Sequence, residues 1–170
     1  MKQRQLRLLE SENRFAGLKP DDLTEAEAES LTDLALRVLA AKHRKGRALE
    51  SPEQTQAYLR LWLAERKNEV FGCIHVDNKH RIIAVEELFQ GTIDGASVHP
   101  RVVVQRALES NSAAVLFFHN HPAGVAEPSQ ADLRITERLK NSLALVEIRV
   151  LDHVVVATEG TVSFAERNLL

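Results

Sequence analysis

Residues 113–118 read AAVLFF, a short and unbroken apolar run. Such a run predicts a strand buried on both faces, and that strand needs a layer of structure above and below it. The flanking sequence supplies those layers. EVFGCIHV and RIIAVEELF are rich in β-formers and joined by DNKH, which predicts a hairpin. HPRVVVQRALES predicts a helix with Pro100 near its start, and SQADLRITERLKNSLALV predicts a second with Ile135, Leu139 and Leu143 on one face. EIRVLDHVVVAT and TVSF complete the sheet. The order β-β-α-β-α-β-β is that of an α/β domain, a mixed central sheet flanked by helices.

Upstream, the chain changes character. Residues 1–48 are polar and charged and are expected to form an N-terminal helical extension; residues 49–170 form the α/β domain. In the extension, TEAEAESLTDLALRVLAAKHRK predicts one amphipathic helix, with Leu31, Leu34, Val38 and Ala41 as its stripe. KHRKGR ends it, with cations that suit a helix C-terminus and Gly46 as the expected cap. Those cations also suit phosphate. Ser51-Pro52-Glu53-Gln54 is a helix start, with Ser51 as N-cap and Gln54 closing a capping box. Ala57, Tyr58, Leu61 and Trp62 are expected on its buried face.

Composition narrows the function classes. With 170 residues and a net charge of −2, the chain carries no general field that would recruit nucleic acid or an anionic membrane. No apolar run approaches the ~20 residues a membrane helix needs. MKQRQLRLLESENRF lacks the apolar centre of a secretory signal, so a cytoplasmic location is expected. Cys73 is the single cysteine, which excludes an internal disulfide and every multi-cysteine zinc site. Any metal must be held by His, Asp or Glu.

The apolar run ends in Phe118-His119-Asn120-His121-Pro122. In an extended chain, positions i and i+2 project to one side, so His119 and His121 can converge. Neutral imidazole is a common metal ligand. Strand ends of this kind are favoured ligand sites in α/β sheets. Asp132, in the first turn of the next helix, offers a third ligand from a different segment. Two His and one carboxylate leave the fourth position of a zinc tetrahedron open for water. Ser129 and Asp132 also fit an N-cap and its reciprocal carboxylate. Rival chemistries do not fit. The letters HNH are consecutive here, unlike those of an HNH nuclease; a zinc deaminase needs Cys-x-x-Cys; and His-Glu-x-x-His is absent.

HNHPAGVAEPSQAD resembles the JAMM (MPN+) metalloprotease motif, His-x-His-Pro followed by Ser-x-x-Asp. The wider stretch from about Ser51 to Leu170 resembles the RadC-like JAB domain, through EVFGCIHVDNKHRIIAVEELFQGTIDGASVHPRVVV, AAVLFFHNHPAG, PSQADLRIT and LDHVVV. Alanine stands at 123 where the family often has serine, and residues 1–48 show no clear version of the helix-hairpin-helix module of longer members.

The resemblance implies a JAB/MPN fold, a cytidine-deaminase-like arrangement. It implies Zn2+ on His119, His121 and Asp132, an oxyanion-stabilising Ser129, and Glu69 as general base, with Glu86 and Glu87 as competitors. It places His153 in a supporting role beside a ligand or the sheet edge. His43, His75, His80 and His99 are expected at the surface. The function implied is a zinc hydrolase acting on a peptide or isopeptide substrate. The alternatives are a DNA repair or recombination role, which the family name suggests, and a non-catalytic binding module. Specificity would reside in loops 90–99 and 122–128. The sequence encodes neither a substrate nor an oligomeric state.

Overall fold

A computed structural model describes residues 17–42, 45–49, 51–64, 66–91, 97–122 and 124–170. The chain divides into two compact units, Met1–Arg37 and Val38–Leu170. A 3-10 turn (Pro20–Asp22) precedes helix α1 (Glu25–Lys42). Thr24 caps α1: its amide and hydroxyl donate to Glu27, and its hydroxyl accepts from the Glu27 amide. Leu34 and Val38 from the expected stripe are exposed. His43 lies outside the described residues. Gly46 adopts φ 86° and donates its N–H to the Ile82 carbonyl, so it joins the sheet edge. No helix among the described residues is long and apolar enough to cross a membrane.

The second unit is built on five strands: β1 (Val70–Val76), β2 (Ile82–Gln90), β3 (Ala114–His121), β4 (Arg149–Ala157) and β5 (Gly160–Ser163). Their order is β2-β1-β3-β4-β5. The β3–β4 pair is parallel and the other pairs are antiparallel. AAVLFF therefore forms most of the middle strand, and residues 114–120 are all buried. Helices α2 (Pro52–Leu63), α3 (Pro100–Glu109) and α4 (Gln130–Ala144) supply the two layers that this burial demands.

Alternation along the strands sorts the core. Val70, Ile74, Leu116, Phe118, Val154 and Val156 pack with Leu59 and Leu63 of α2. Phe71, Cys73, Val115 and Phe117 pack on the other face with Val103 and Ala107 of α3 and Leu139 and Leu143 of α4. Gly72 has a packing reason: a Cβ there would overlap the Phe118 ring. Trp62 meets the same ring edge-on at 5.4 Å, as a core aromatic.

Three expectations fail in this unit. The buried face of α2 is Thr55, Leu59 and Leu63, with Tyr58 and Trp62 flanking and Ala57 exposed. Thr55 tolerates burial because its hydroxyl donates to the Ser51 carbonyl at 3.2 Å, a bond invisible to a reading of apolar spacing. Ser51 does cap α2, but its hydroxyl donates to Glu53 rather than joining a full capping box. His75 is fully buried rather than at the surface, because it continues the inward series Phe71, Cys73, His75. His80 and His99 are exposed.

Candidate metal centre

β3 carries the site. Its odd positions, Val115 and Phe117, face α3 and α4, and the same alternation turns His119 and His121 to that side. α4 packs on that same face, and its N-terminal turn carries the third group. Ser129 is the N-cap and Asp132 is N3. The Ser129 hydroxyl accepts from the Asp132 amide at 3.2 Å, and the Ser129 amide donates to Asp132 Oδ2 at 2.7 Å. The helix cap thereby fixes the carboxylate that faces the histidines.

Three side chains converge. His119 Nε2 lies 3.4 Å from Asp132 Oδ1, His121 Nε2 lies 3.4 Å from Asp132 Oδ2, and the two Nε2 atoms are 2.9 Å apart. His119, His121 and Asp132 form the one His/Cys/Asp/Glu cluster among the described residues with metal-ligand spacing. The side-chain exposures of His119, His121 and Asp132 are 1%, 19% and 14%, so the point of convergence is rooted in the core and open on one side. A cleft of about 260 Å³ beside His121 is lined by Arg60, Arg66, Pro122 and Thr158 among others.

The far side of each ring is tied. His121 Nδ1 donates to the Val125 carbonyl at 2.8 Å. Val125 sits in the segment 124–128, which is held by Ala126 packing with Val155 and Phe164 and by an Arg167–Glu127 ion pair at 2.6 Å. His119 Nδ1 pairs with His153 Nε2 at 2.8 Å, and His153 Nδ1 pairs with the Thr136 hydroxyl at 2.6 Å. Asp152, beside His153, braces the sheet edge through Ser163 and the Ala165 amide.

Electrostatics follow the geometry. The hydrogen bond to Asp132 raises His121 above the usual histidine value; burial opposes this, while the Val125 carbonyl and the charges of Asp132 and Glu69 support it. Burial works against ionising Asp132, yet the imidazoles of His119 and His121 and the Ser129 hydroxyl beside it outweigh this and hold the carboxyl far below the usual range. Burial, reinforced by the neighbouring histidines, pushes His153 well below the usual value.

Glu69 immediately precedes β1 and is half-buried. The pairing of Phe71 with His119, continued by two residues, sets Glu69 opposite His121, and its charge acts on that ring. Glu86 instead binds Arg106 at 2.8 Å, and Glu87 binds Arg66; each is committed elsewhere.

Two supporting residues escaped the sequence reading. Asn120 points to the opposite face of β3. Its Oδ1 accepts from the Val70 amide at 2.7 Å and its Nδ2 donates to the Asn68 carbonyl at 3.1 Å. It thus grips the peptide groups on both sides of Glu69. A buried amide between two histidines was the available signal, since such a group must find partners. Thr136, one turn beyond Asp132, carries no signal in sequence apart from that spacing.

Comparison with known proteins agrees with this architecture. The family described as the RadC-like JAB domain matches residues 49–169. A UPF0758 protein of Thioalkalivibrio sulfidiphilus is 50% identical over 173 residues, covering 93% of this chain and 77% of that protein. A UPF0758 protein of Nitrosococcus oceani is 55% identical over 84% of this chain and 63% of its own length. One from Vibrio cholerae is 56% identical over 82% of this chain and 62% of its own length. The last two therefore extend well beyond the region shared with this chain. With a match spanning the whole sheet and the three convergent side chains, the chain belongs to the RadC-like JAB domain family.

Proposed function

We propose that the chain is a zinc-dependent hydrolase of the JAMM type, acting on a peptide or isopeptide bond. The observation that carries this reading is the meeting of two imidazole Nε2 atoms and one carboxylate at a single point open to solvent. His119, His121 and Asp132 would hold the ion. Zinc bonds of about 2.0–2.1 Å in a tetrahedron set neighbouring ligand atoms ~3.3 Å apart. The His–Asp separations are 3.4 Å, one to each carboxylate oxygen, and the two Nε2 atoms lie 2.9 Å apart, closer than a bound ion would set them. Two imidazoles with one carboxylate is also a donor set that zinc adopts in hydrolytic sites. When bound, the ion supplies Lewis acidity: it polarises a carbonyl oxygen and brings the pKa of water to about 7.

The chain's own groups do the rest. Glu69 takes a proton from the attacking water and delivers it to the leaving nitrogen, the work of a general base followed by a general acid. Asn120 holds the backbone on either side of that carboxylate. The Ser129 hydroxyl donates to Asp132 Oδ2 at 2.6 Å. Turned toward the substrate, the same proton stabilises a developing oxyanion, while the Ser129 amide keeps Asp132 in place. The class of bond attacked rests on the likeness of HNHPAGVAEPSQAD to the JAMM motif.

The test is elemental analysis of purified protein, followed by a panel of peptides and isopeptides with and without chelator. We expect one zinc per chain and turnover that chelator abolishes and zinc restores. Protein without metal, or turnover indifferent to chelator, contradicts the reading. Zinc without turnover on any such substrate leaves a binding module.

A further inference from the structure

We infer that Thr136 and His153 are positioning residues that fix the tautomer of His119, so that its Nε2 lone pair always faces Asp132 and His121. The inference rests on the metal-site reading and specifies how one ligand is prepared.

Counting protons from a fixed end gives the direction. The Asp132 carbonyl can only accept, and the Thr136 hydroxyl lies 2.6 Å from it. The single hydroxyl proton of Thr136 is therefore spent on that carbonyl. Thr136 Oγ1 is also 2.6 Å from His153 Nδ1, so toward His153 the hydroxyl oxygen accepts and Nδ1 carries the proton. Neutral His153 then has its lone pair on Nε2, which faces His119 Nδ1 at 2.8 Å. His119 must donate from Nδ1, and its remaining lone pair is on Nε2. The opposite polarity would leave the Thr136 and Asp132 oxygens at 2.6 Å with no proton between them. His119, His153 and Thr136 are 1%, 0% and 2% exposed, so water is poorly placed to substitute for any link.

The chain of bonds is closed. It leaves the backbone of Asp132, passes through Thr136 and His153, and returns to His119, which faces the Asp132 side chain at 3.4 Å. One circuit thus joins α4, β4 and β3. Partners of this kind beyond the ligands typically set ligand orientation and are worth 10–100-fold in metal affinity.

Two measurements test it. Nitrogen and carbon chemical shifts of the histidines in metal-free protein should show His119 and His153 as Nδ1–H tautomers. Zinc titration against a competing chelator should show Thr136→Val weakened 10–100-fold, with Thr136→Ser close to the parent. The pair separates orientation from packing, because valine keeps the volume and serine keeps the hydroxyl. His119 found as the Nε2–H tautomer, or Thr136→Val binding zinc as the parent does, overturns the inference. If the parent binds no zinc, the hydrolase reading falls, while the tautomers still decide this one.

Discussion

The β1–β3 ladder buries histidine at both ends of the same sheet face, with different results. At one end His119 pairs opposite Phe71; at the other His75 pairs opposite Val115. The two positions are separated by four residues of β1, about 13 Å at 3.3 Å per residue. His75 has Nδ1 on the Ser112 hydroxyl at 2.9 Å, while its Nε2 has no hydrogen-bond partner among the described residues. The nearest carboxylate, Glu86, is 3.8 Å away and already held by Arg106. Burial pushes His75 below the usual histidine value, whereas at the other end the hydrogen bond to Asp132 pushes His121 above it. Burial also drives the Cys73 thiol well up, so Cys73 stays a neutral thiol. The contrast shows that a buried histidine is not in itself a site. What sets His119 apart is a second element, the capped start of α4, that brings the Asp132 carboxylate within 3.4 Å of its Nε2.

The largest expected effect tests that contrast directly. His121→Ala should lose at least the 10–100-fold in zinc affinity that outer partners cost, and turnover with it. His75→Ala should keep one zinc per chain and instead melt at a lower temperature. Elemental analysis and thermal melts on both variants decide it. Full zinc in His121→Ala, or lost zinc in His75→Ala, would dissolve the distinction.

The carboxylates repeat the comparison at smaller scale. Glu69→Gln keeps shape and hydrogen bonding but removes basicity, so turnover should fall 10²–10⁴-fold with zinc retained. Glu86→Gln and Glu87→Gln should retain turnover, because each carboxylate is already held by an arginine. Kinetics on metal-loaded protein check this. An active Glu69→Gln beside an inactive Glu86→Gln or Glu87→Gln would move the base to that residue.

Sequence made one end more readable than the other for a physical reason. The period of two in Phe117-His119-His121 is local, and Ser129 and Asp132 share one helical turn, so those residues could be brought together from spacing alone. The same period runs through Phe71-Cys73-His75 and marked His75 as inward, yet the polarity of histidine suggested the surface. Its burial depends on Ser112, a partner in another segment. Asn120 and Thr136 were missed in the same way, and His153 was given a supporting role by the family resemblance alone: each acts through a strand or helix that only the folded sheet places beside it. The phase of α2 was misread because Thr55, a polar residue, occupies the centre of its buried face.

The serines give the third comparison. Ser129→Ala should slow turnover by 10²–10³ through loss of an oxyanion donor. It should also cost about 1 kcal/mol as a lost cap. Ser112→Ala should leave turnover intact and cost roughly 1–3 kcal/mol, since His75 Nδ1 is left buried without its partner. Paired rates and denaturant melts separate the two. A Ser112→Ala variant as slow as Ser129→Ala would mean that the two ends are coupled.

The smallest effect is in the pH dependence, where the ends should slope in opposite directions. A histidine whose folded pKa lies below its unfolded value of about 6.5 binds fewer protons folded than unfolded once the pH drops under that value. His75 therefore costs stability as pH falls from about 6.5 toward its lowered folded value, and contributes no pH dependence well above it. The groups facing it are Glu86, whose charge works against the lowering, and Arg106, whose charge adds to it. His153 has the same sign, so the measurement must be a difference. In zinc-loaded protein, His75→Gln should show a shallower loss of melting temperature than the parent between pH 7 and 5. His121 behaves oppositely in chelated protein. Its raised pKa gives stability that is full below about 6.5 and is lost as pH climbs through the folded value. Chelated parent should thus lose stability on the alkaline side of 6.5, and His121→Ala should not. Equal acid slopes for parent and His75→Gln would show that the orphaned Nε2 finds a proton acceptor in the folded state, with Glu86 the group to examine.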